Sequence, residues 1–572
     1  MKRSLLLPSL LALFAVGCST DKGVETAIDV IPQPQKVLRM EGAAFDVKGA
    51  PIAVLTDDEN TNNAVLEFAE ALRTATGVAN PFVDKAGEGI VFAENKSLAD
   101  EAYTLSINKK GIRIEAAGFP GFFYGLQTLK QLLPAELLSG KPAGEKVCWA
   151  LDPLEIEDQP RFAYRGMHLD CARHFFSLDE VKRYIDVIAL FKMNRFHWHL
   201  TDDQGWRVEI KQYPLLTEVG SWRDGTCIGK DFDSSDGIRY GGFYTQDELR
   251  EIVDYAAARN IIVIPEIDLP GHMLAALAAY PELGCTGGPY KVWQRWGITN
   301  DILCAGNEKV YEFLEGVLGE IIDIFPSEYI HIGGDECFTS ETDDPWDLCP
   351  KCIAKMEELG IERGPEEKHY LQNYVTARVQ AYIQSRGRKI IGWDEILEGD
   401  LAEGATVMSW RGTEGGIKAA EKGFDAIMTP YTYVYFDYFQ SHERDKEPLC
   451  IGGYLPVENV YAYEPLDGIT PEAQPHILGV QANLWTEYIT TPEHLEYMLL
   501  PRMCALSEIQ WCNADRKDWD RFNGALDHIF DILDAMGYTV CRDVRGEIGL
   551  DRIPARSEEE LETYRNENHF NW

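Results

Sequence analysis

The sequence predicts an α/β protein: a (β/α)8 TIM barrel preceded by a small α+β domain and carrying a helical C-terminal tail. Three observations predict it. From Arg161 onward, eight short apolar runs alternate with helical stretches, the number a closed parallel barrel requires. Those runs repeatedly end in polar or charged residues, as barrel strands do where the chemistry collects at their carboxyl ends. Before Arg161 the pattern differs, with short β-rich runs and a hairpin signal set between helical stretches.

Taken in order, the chain opens on Lys2 and Arg3 and an apolar run over residues 5–16, too short to span a bilayer and shaped like the core of a secretory signal. The run ends Ala15-Val16-Gly17-Cys18, which resembles the lipobox of bacterial lipoproteins with Ala15 in place of the preferred Leu. Residues 1–18 are expected to be a lipoprotein-type signal peptide. Cys18 would become the lipidated first residue of an exported protein anchored in the bacterial cell envelope, its only contact with a membrane. An ordinary signal peptide with an incidental Cys is the alternative.

Residues 28–158 read as the α+β domain. Strands are expected at 52–55 and 89–92 and a helix over 64–74. Alternating runs at 103–107 and 112–116 flank Lys109-Lys110-Gly111 as a hairpin, a helix follows over 121–133, and the stretch to Asp158 reads as a linker. Residues 159–512 are the barrel, with strands at 165–170, 195–200, 261–267, 329–333, 390–393, 406–410, 426–429 and 477–481. Residues 513–572 are expected to form a polar helical extension that caps it.

With 93 acidic against 54 basic side chains the formal charge is −39, which repels polyphosphates, so no nucleic-acid partner is expected. Among the cysteines beyond Cys18 the only close pair is Cys349-Pro-Lys-Cys352, which could be a zinc half-site, a redox pair or a local disulfide. A zinc ribbon would need a second Cys-x-x-Cys, and the chain has none, so the pair reads as structural. His197-x-His199 is the other metal-like pattern, two histidines on one strand face, but no third ligand follows at metal spacing. No nucleotide fingerprint occurs, and neither a cofactor nor a metal is expected. Oligomeric state is left open.

The strongest feature is His331-Ile332-Gly333-Gly334-Asp335-Glu336, a strand running into two glycines and two adjacent carboxylates. The glycines let the chain turn so that both acids face one cavity. Like charges this close push one pKa up, giving a protonated acid that can donate and an ionised one that can stabilise positive charge. Glycoside hydrolysis needs that division.

This segment, together with residues 196–207 (FHWHLTDDQGWR), 165–174, Pro265-Glu266-Ile267-Asp268-Leu269-Pro270-Gly271-His272, Gly392-Trp393-Asp394-Glu395 and Leu484-Trp485-Thr486-Glu487, resembles the β-N-acetylhexosaminidases of glycoside hydrolase family twenty. The resemblance covers roughly residues 30 to 510, with the motifs in the family's order. It implies release of terminal non-reducing β-linked GlcNAc or GalNAc from glycans by a retaining, substrate-assisted route, in which the 2-acetamido oxygen is the nucleophile and an oxazolinium ion the intermediate. Glu336 would be the acid and then the base, Asp335 would orient the acetamido group, and Tyr435 would bond its oxygen. Arg173, Asp437 and Glu487 would hold sugar hydroxyls, and Trp393, Trp410 and Trp485 would wall the ring. His197, His199, Asp202, Asp268 and His272 would form a polar network beneath, with Asp202 or His272 touching Glu336. The alternatives are a lacto-N-biosidase-like enzyme releasing disaccharide, a catalytically weak sugar-binding barrel, and a different hydrolase on the same barrel. The insertions at 285–300 and 437–465 are expected to shape the aglycone subsites.

Overall fold

The computed structural model describes residues 23–85, 87–337, 345–362, 367–398, 401, 403–441 and 446–542. Cys18 with its apolar leader, and the extension past residue 542, lie outside the described residues. Among the described residues no helix is long and apolar enough to cross a membrane.

The N-terminal domain is a seven-stranded sheet with helices Glu59–Thr76 and Phe119–Leu132 packed against each other and the sheet. The hairpin forms as its alternation predicts, Tyr103–Asn108 pairing antiparallel with Gly111–Ala116. The supposed linker is a correction. Leu154–Asp158 is a strand inside this sheet, antiparallel to both Lys36–Arg39 and Tyr103–Asn108. Leu154, Ile156 and Asp158 point inward and Glu155 and Glu157 outward, a period of two that the flanking Pro153 and the acid content obscure.

Asp158 joins the two domains. Its buried carboxylate accepts from Tyr103 at 2.6 Å and Trp511 at 2.9 Å and pairs at 2.9 Å with Lys192, a fully buried ammonium from the barrel. Removing one member of such a pair would leave a buried charge uncompensated, a loss of about 3–5 kcal/mol.

The barrel closes as expected, all strands parallel: Tyr164–Asp170, Arg195–His199, Ile262–Glu266, Tyr329–His331, Lys389–Trp393, Thr406–Ser409, Asp425–Met428 and Ile477–Ala482, the last pairing back to the first. The helices between them start on local signals. Ser177 with Glu180, and Thr245 with Glu248, make capping boxes that satisfy the first amides of helices Leu178–Leu190 and Gln246–Ala257.

The described part of the C-terminal extension is also a correction. Helix Trp519–Ala535 is amphipathic rather than polar, burying Phe522, Leu526, Ile529 and Leu533. It is wedged against the N-terminal domain: Arg521 donates to the Val30 carbonyl at 3.0 Å and His528 meets the Gln131 carbonyl at 2.6 Å, while Arg521 also pairs with Glu508 of the barrel. Its apolar stripe therefore seals the junction between the domains.

Candidate active site

At the carboxyl end of the barrel a pocket of about 360 Å³ is lined by Arg173, Asp335, Glu336, Trp393, Trp410, Tyr435, Asp437, Trp485 and Glu487. These residues come from strand ends far apart in the chain, and barrel closure alone makes them neighbours. Arg411, Tyr431, Tyr438 and Ile451 also line it. Arg411 follows a strand end and Tyr438 and Ile451 fall in the 437–465 insertion, so of these four only Tyr431 carried no sequence signal.

The turn that presents the acids is built from unusual backbone. Gly333 and Gly334 have φ of 64° and 97°, and Glu336 itself has φ of 48°. A Cβ on Gly333 would lie 1.7 Å from Asp268 Oδ1, so only glycine fits between the fourth strand and that carboxylate. Asp268 in turn accepts from the Gly334 amide at 3.2 Å. Gly333→Ala should therefore push the turn away from Asp268 and cut kcat/KM by about 10²-fold through misplaced acids. Wild-type kinetics of this variant would show that the close approach is dispensable.

Beneath the pair lies a chain of buried charges. His272 Nε2 is 3.4 Å from Glu336 and 3.7 Å from Asp335, and its Nδ1 is 3.2 Å from Asp202. Burial opposes a charge on His272, but Asp202, Asp203 and Glu336 outweigh it and hold the imidazole well above its ordinary pKa. Asp202 also meets Arg173 at 2.9 Å and His199 at 2.9 Å, so of the two side chains expected to reach Glu336, His272 does and Asp202 acts one contact further away.

Glu266 is the hub that sequence reasoning noted at a strand end but gave no role. His197 at 3.0 Å, His199 at 2.5 Å, His331 at 2.9 Å and the Trp393 indole at 2.9 Å all converge on its carboxylate. Burial would raise its pKa, yet the three imidazoles hold it well below the usual carboxylate range. His197 and His199 are thus committed to a carboxylate.

Aromatic faces close the sides. Trp393 and Trp485 lie 6.0 Å apart, Trp410 stacks over Tyr435 at 6.3 Å, and Tyr435 lies 6.5 Å from Trp485. Arg173 sits 5.0 Å over the Trp485 ring, its Nε donating to Gln204 at 3.0 Å. Of the two insertions, 437–465 reaches the pocket through Tyr438 and Ile451. The 285–300 insertion instead braces Gln204, which donates to the Arg295 carbonyl at 3.1 Å.

The two acids are unequal, as expected, but the one pushed up is Asp335. Burial, with Glu336 and Glu266 adding like charge against the pull of His272, raises it to about 7. Its Oδ1 has no hydrogen-bond partner among the described residues. Asp335 was the member expected to be ionised, yet its burial beside like charges favours the protonated form. Burial also lifts Asp437, with Glu487 beside it, and takes Glu487 to about 6 despite Arg173.

Away from the pocket, Cys349 and Cys352 are not alone. Cys285 and Cys304 join them, all four sulfurs within 4.8 Å of one another.

Family profiles match residues 27–159, described as glycosyl hydrolase family 20, domain 2, and residues 162–514, described as glycosyl hydrolase family 20, catalytic domain. A β-hexosaminidase of Porphyromonas gingivalis is 42% identical over 524 residues; the match takes in 90% of this chain and spans 64% of that relative's length. One of Vibrio furnissii is 37% identical over 485 residues, 84% of this chain and 76% of its own. Among solved structures, a β-N-acetylhexosaminidase from Streptomyces coelicolor A3(2) superposes with a TM-score of 0.79 at 32% identity, covering 92% of this chain and 100% of that one. An exo β-N-acetylglucosaminidase from Vibrio harveyi, in complex with N-acetylglucosamine, gives 0.77 at 31% identity, covering 93% and 81%.

Proposed function

The chain belongs to glycosyl hydrolase family 20, and from that premise we propose that it is an exo-acting β-N-acetylhexosaminidase releasing terminal GlcNAc or GalNAc from glycans with retention through an oxazolinium ion. The observation that carries this reading is that Asp335 and Glu336 are consecutive on one turn and line one aromatic-walled pocket. Adjacent acids on one strand end do not bracket an anomeric carbon from opposite faces, as a donor and a protein nucleophile must. The substrate's acetamido oxygen supplies the missing nucleophile, since intramolecular attack reaches effective molarities of about 10⁵–10⁸ M.

Glu336 donates its proton to the glycosidic oxygen, and the cationic His272 beside it steadies the carboxylate left behind. Asp335 then faces an acetamido N–H whose nitrogen gains positive charge as the ring closes. That developing charge draws Asp335 into its ionised form, and the single proton of the pair then resides on Glu336, from which it passes to the glycosidic oxygen. Tyr435 bonds the acetamido oxygen, the indoles of Trp393, Trp410 and Trp485 pack the pyranose and the methyl, and Arg173, Asp437 and Glu487 take up hydroxyls. The binding-barrel alternative would require a lost acid, and both acids are present. The relatives named above are hexosaminidases, and nothing favours disaccharide release.

The test is the acetamido requirement. A nitrophenyl N-acetyl-β-glucosaminide should be cleaved at least about 10³-fold faster than the matching glucoside, as loss of an intramolecular nucleophile demands. Comparable turnover of the two would eliminate substrate assistance.

A further inference from the structure

We propose that Cys285, Cys304, Cys349 and Cys352 form a structural zinc site that ties the loop carrying the first two to the start of helix Pro350–Leu359. Cys304 Sγ lies 3.6 Å from both Cys349 and Cys352, and Cys285 lies 3.8 Å from Cys352. Four thiolates at about 2.3 Å from one zinc ion stand about 3.8 Å apart along the edges of a tetrahedron. Two disulfides would instead draw the sulfurs into separate pairs at about 2.05 Å, whereas Cys304 is shared equally between two neighbours. Sulfurs this close also cannot ligate the separate irons of a cluster, and a tetrahedral all-thiolate set selects zinc over harder cations.

The backbone is shaped for the site. Gly306, two residues after Cys304, packs on the Lys351–Cys352 peptide so tightly that a Cβ would come 2.1 Å from the Lys351 carbonyl oxygen. Cys304 and Cys352 are completely buried, and the segments carrying the first two ligands are joined by a bridge between Gly284 and Leu303. Cys349 caps helix Pro350–Leu359, whose first-turn amides offset the negative charge of a tetrathiolate. Binding zinc releases the thiol protons and leaves a centre of net charge −2.

The site links the loop after the third strand to the helices that follow the Asp335–Glu336 turn. The same loop carries Arg295, whose carbonyl holds Gln204 against Arg173. Zinc therefore acts as a staple for the wall behind Arg173 and takes no part in the chemistry.

The full chain, purified without chelator, should contain about one zinc per molecule by elemental mass spectrometry. Titration with a mercurial should release that zinc in step with the four thiols. Cys304→Ser together with Cys349→Ser should reduce the zinc to under about a tenth of that. If this variant does not fold, cobalt exchanged into the wild-type protein should show the ligand-field and thiolate charge-transfer bands of a tetrahedral tetrathiolate. Stoichiometric iron, disulfides among these four cysteines in peptide maps, or four freely titrating thiols with no metal after zinc-supplemented growth would each overturn the assignment.

Discussion

Glu336→Gln lowers kcat/KM for a natural glycan by about 10²- to 10⁴-fold while leaving a dinitrophenyl N-acetylglucosaminide within about tenfold of wild type. The amide keeps the shape of the side chain and its place beside His272 but has no proton to give. A sugar leaving group departs as an alkoxide unless protonated, so it feels the whole loss, while a dinitrophenolate departs unaided. Hydrolysis of the intermediate also loses its base, so a burst of phenolate followed by a slow phase should mark the activated substrate, and azide should accelerate that slow phase by supplying a nucleophile that needs no deprotonation. Equal losses for the two leaving groups would show that Glu336 does something other than donate.

Asp335→Asn gives the contrasting pattern, a loss of about 10²- to 10³-fold for good and poor leaving groups alike. Its target is the positive charge on the acetamido nitrogen, which develops whatever the leaving group is. The same variant tests the pH behaviour. With Asp335 pushed up to about 7 by burial and neighbouring like charge, the pair loses its last proton near that pH, and the reactive form of the pair carries one. For the wild type, kcat/KM toward a poor leaving group should therefore fall as pH rises through about 7, the alkaline side of a bell. Asp335→Asn should remove that limb from its place near 7. An unchanged limb would assign it to another group and remove the link between burial of Asp335 and the chemistry.

Asp335, Glu336, Glu487 and the tryptophans that line the pocket were legible because each sits at or just after a strand end, whereas Arg173, Tyr435 and Asp437 were placed there by the family resemblance. An apolar run ending in Gly333-Gly334-Asp335-Glu336 announces a strand and the turn after it without reference to anything distant, and the same is true of Trp393 and Trp485 at their strand ends. Leu154–Asp158 escaped notice because five residues beside a proline carry too few apolar positions for their alternation to stand out, and pairing with two partners on either side is what makes them a strand.

By itself, then, the sequence determined the eight strands, their order and the acids at their ends, since apolar period and turn chemistry are properties of neighbours along the chain. The tertiary structure decided what depends on distance through space and on exclusion of water. It gathered three histidines on Glu266, brought Cys285 and Cys304 to the Cys349–Cys352 pair, and buried Asp335 deeply enough to raise its pKa to about 7. Charge state and ligation follow from desolvation and from which groups meet, and neither is written in the spacing of residues along the chain.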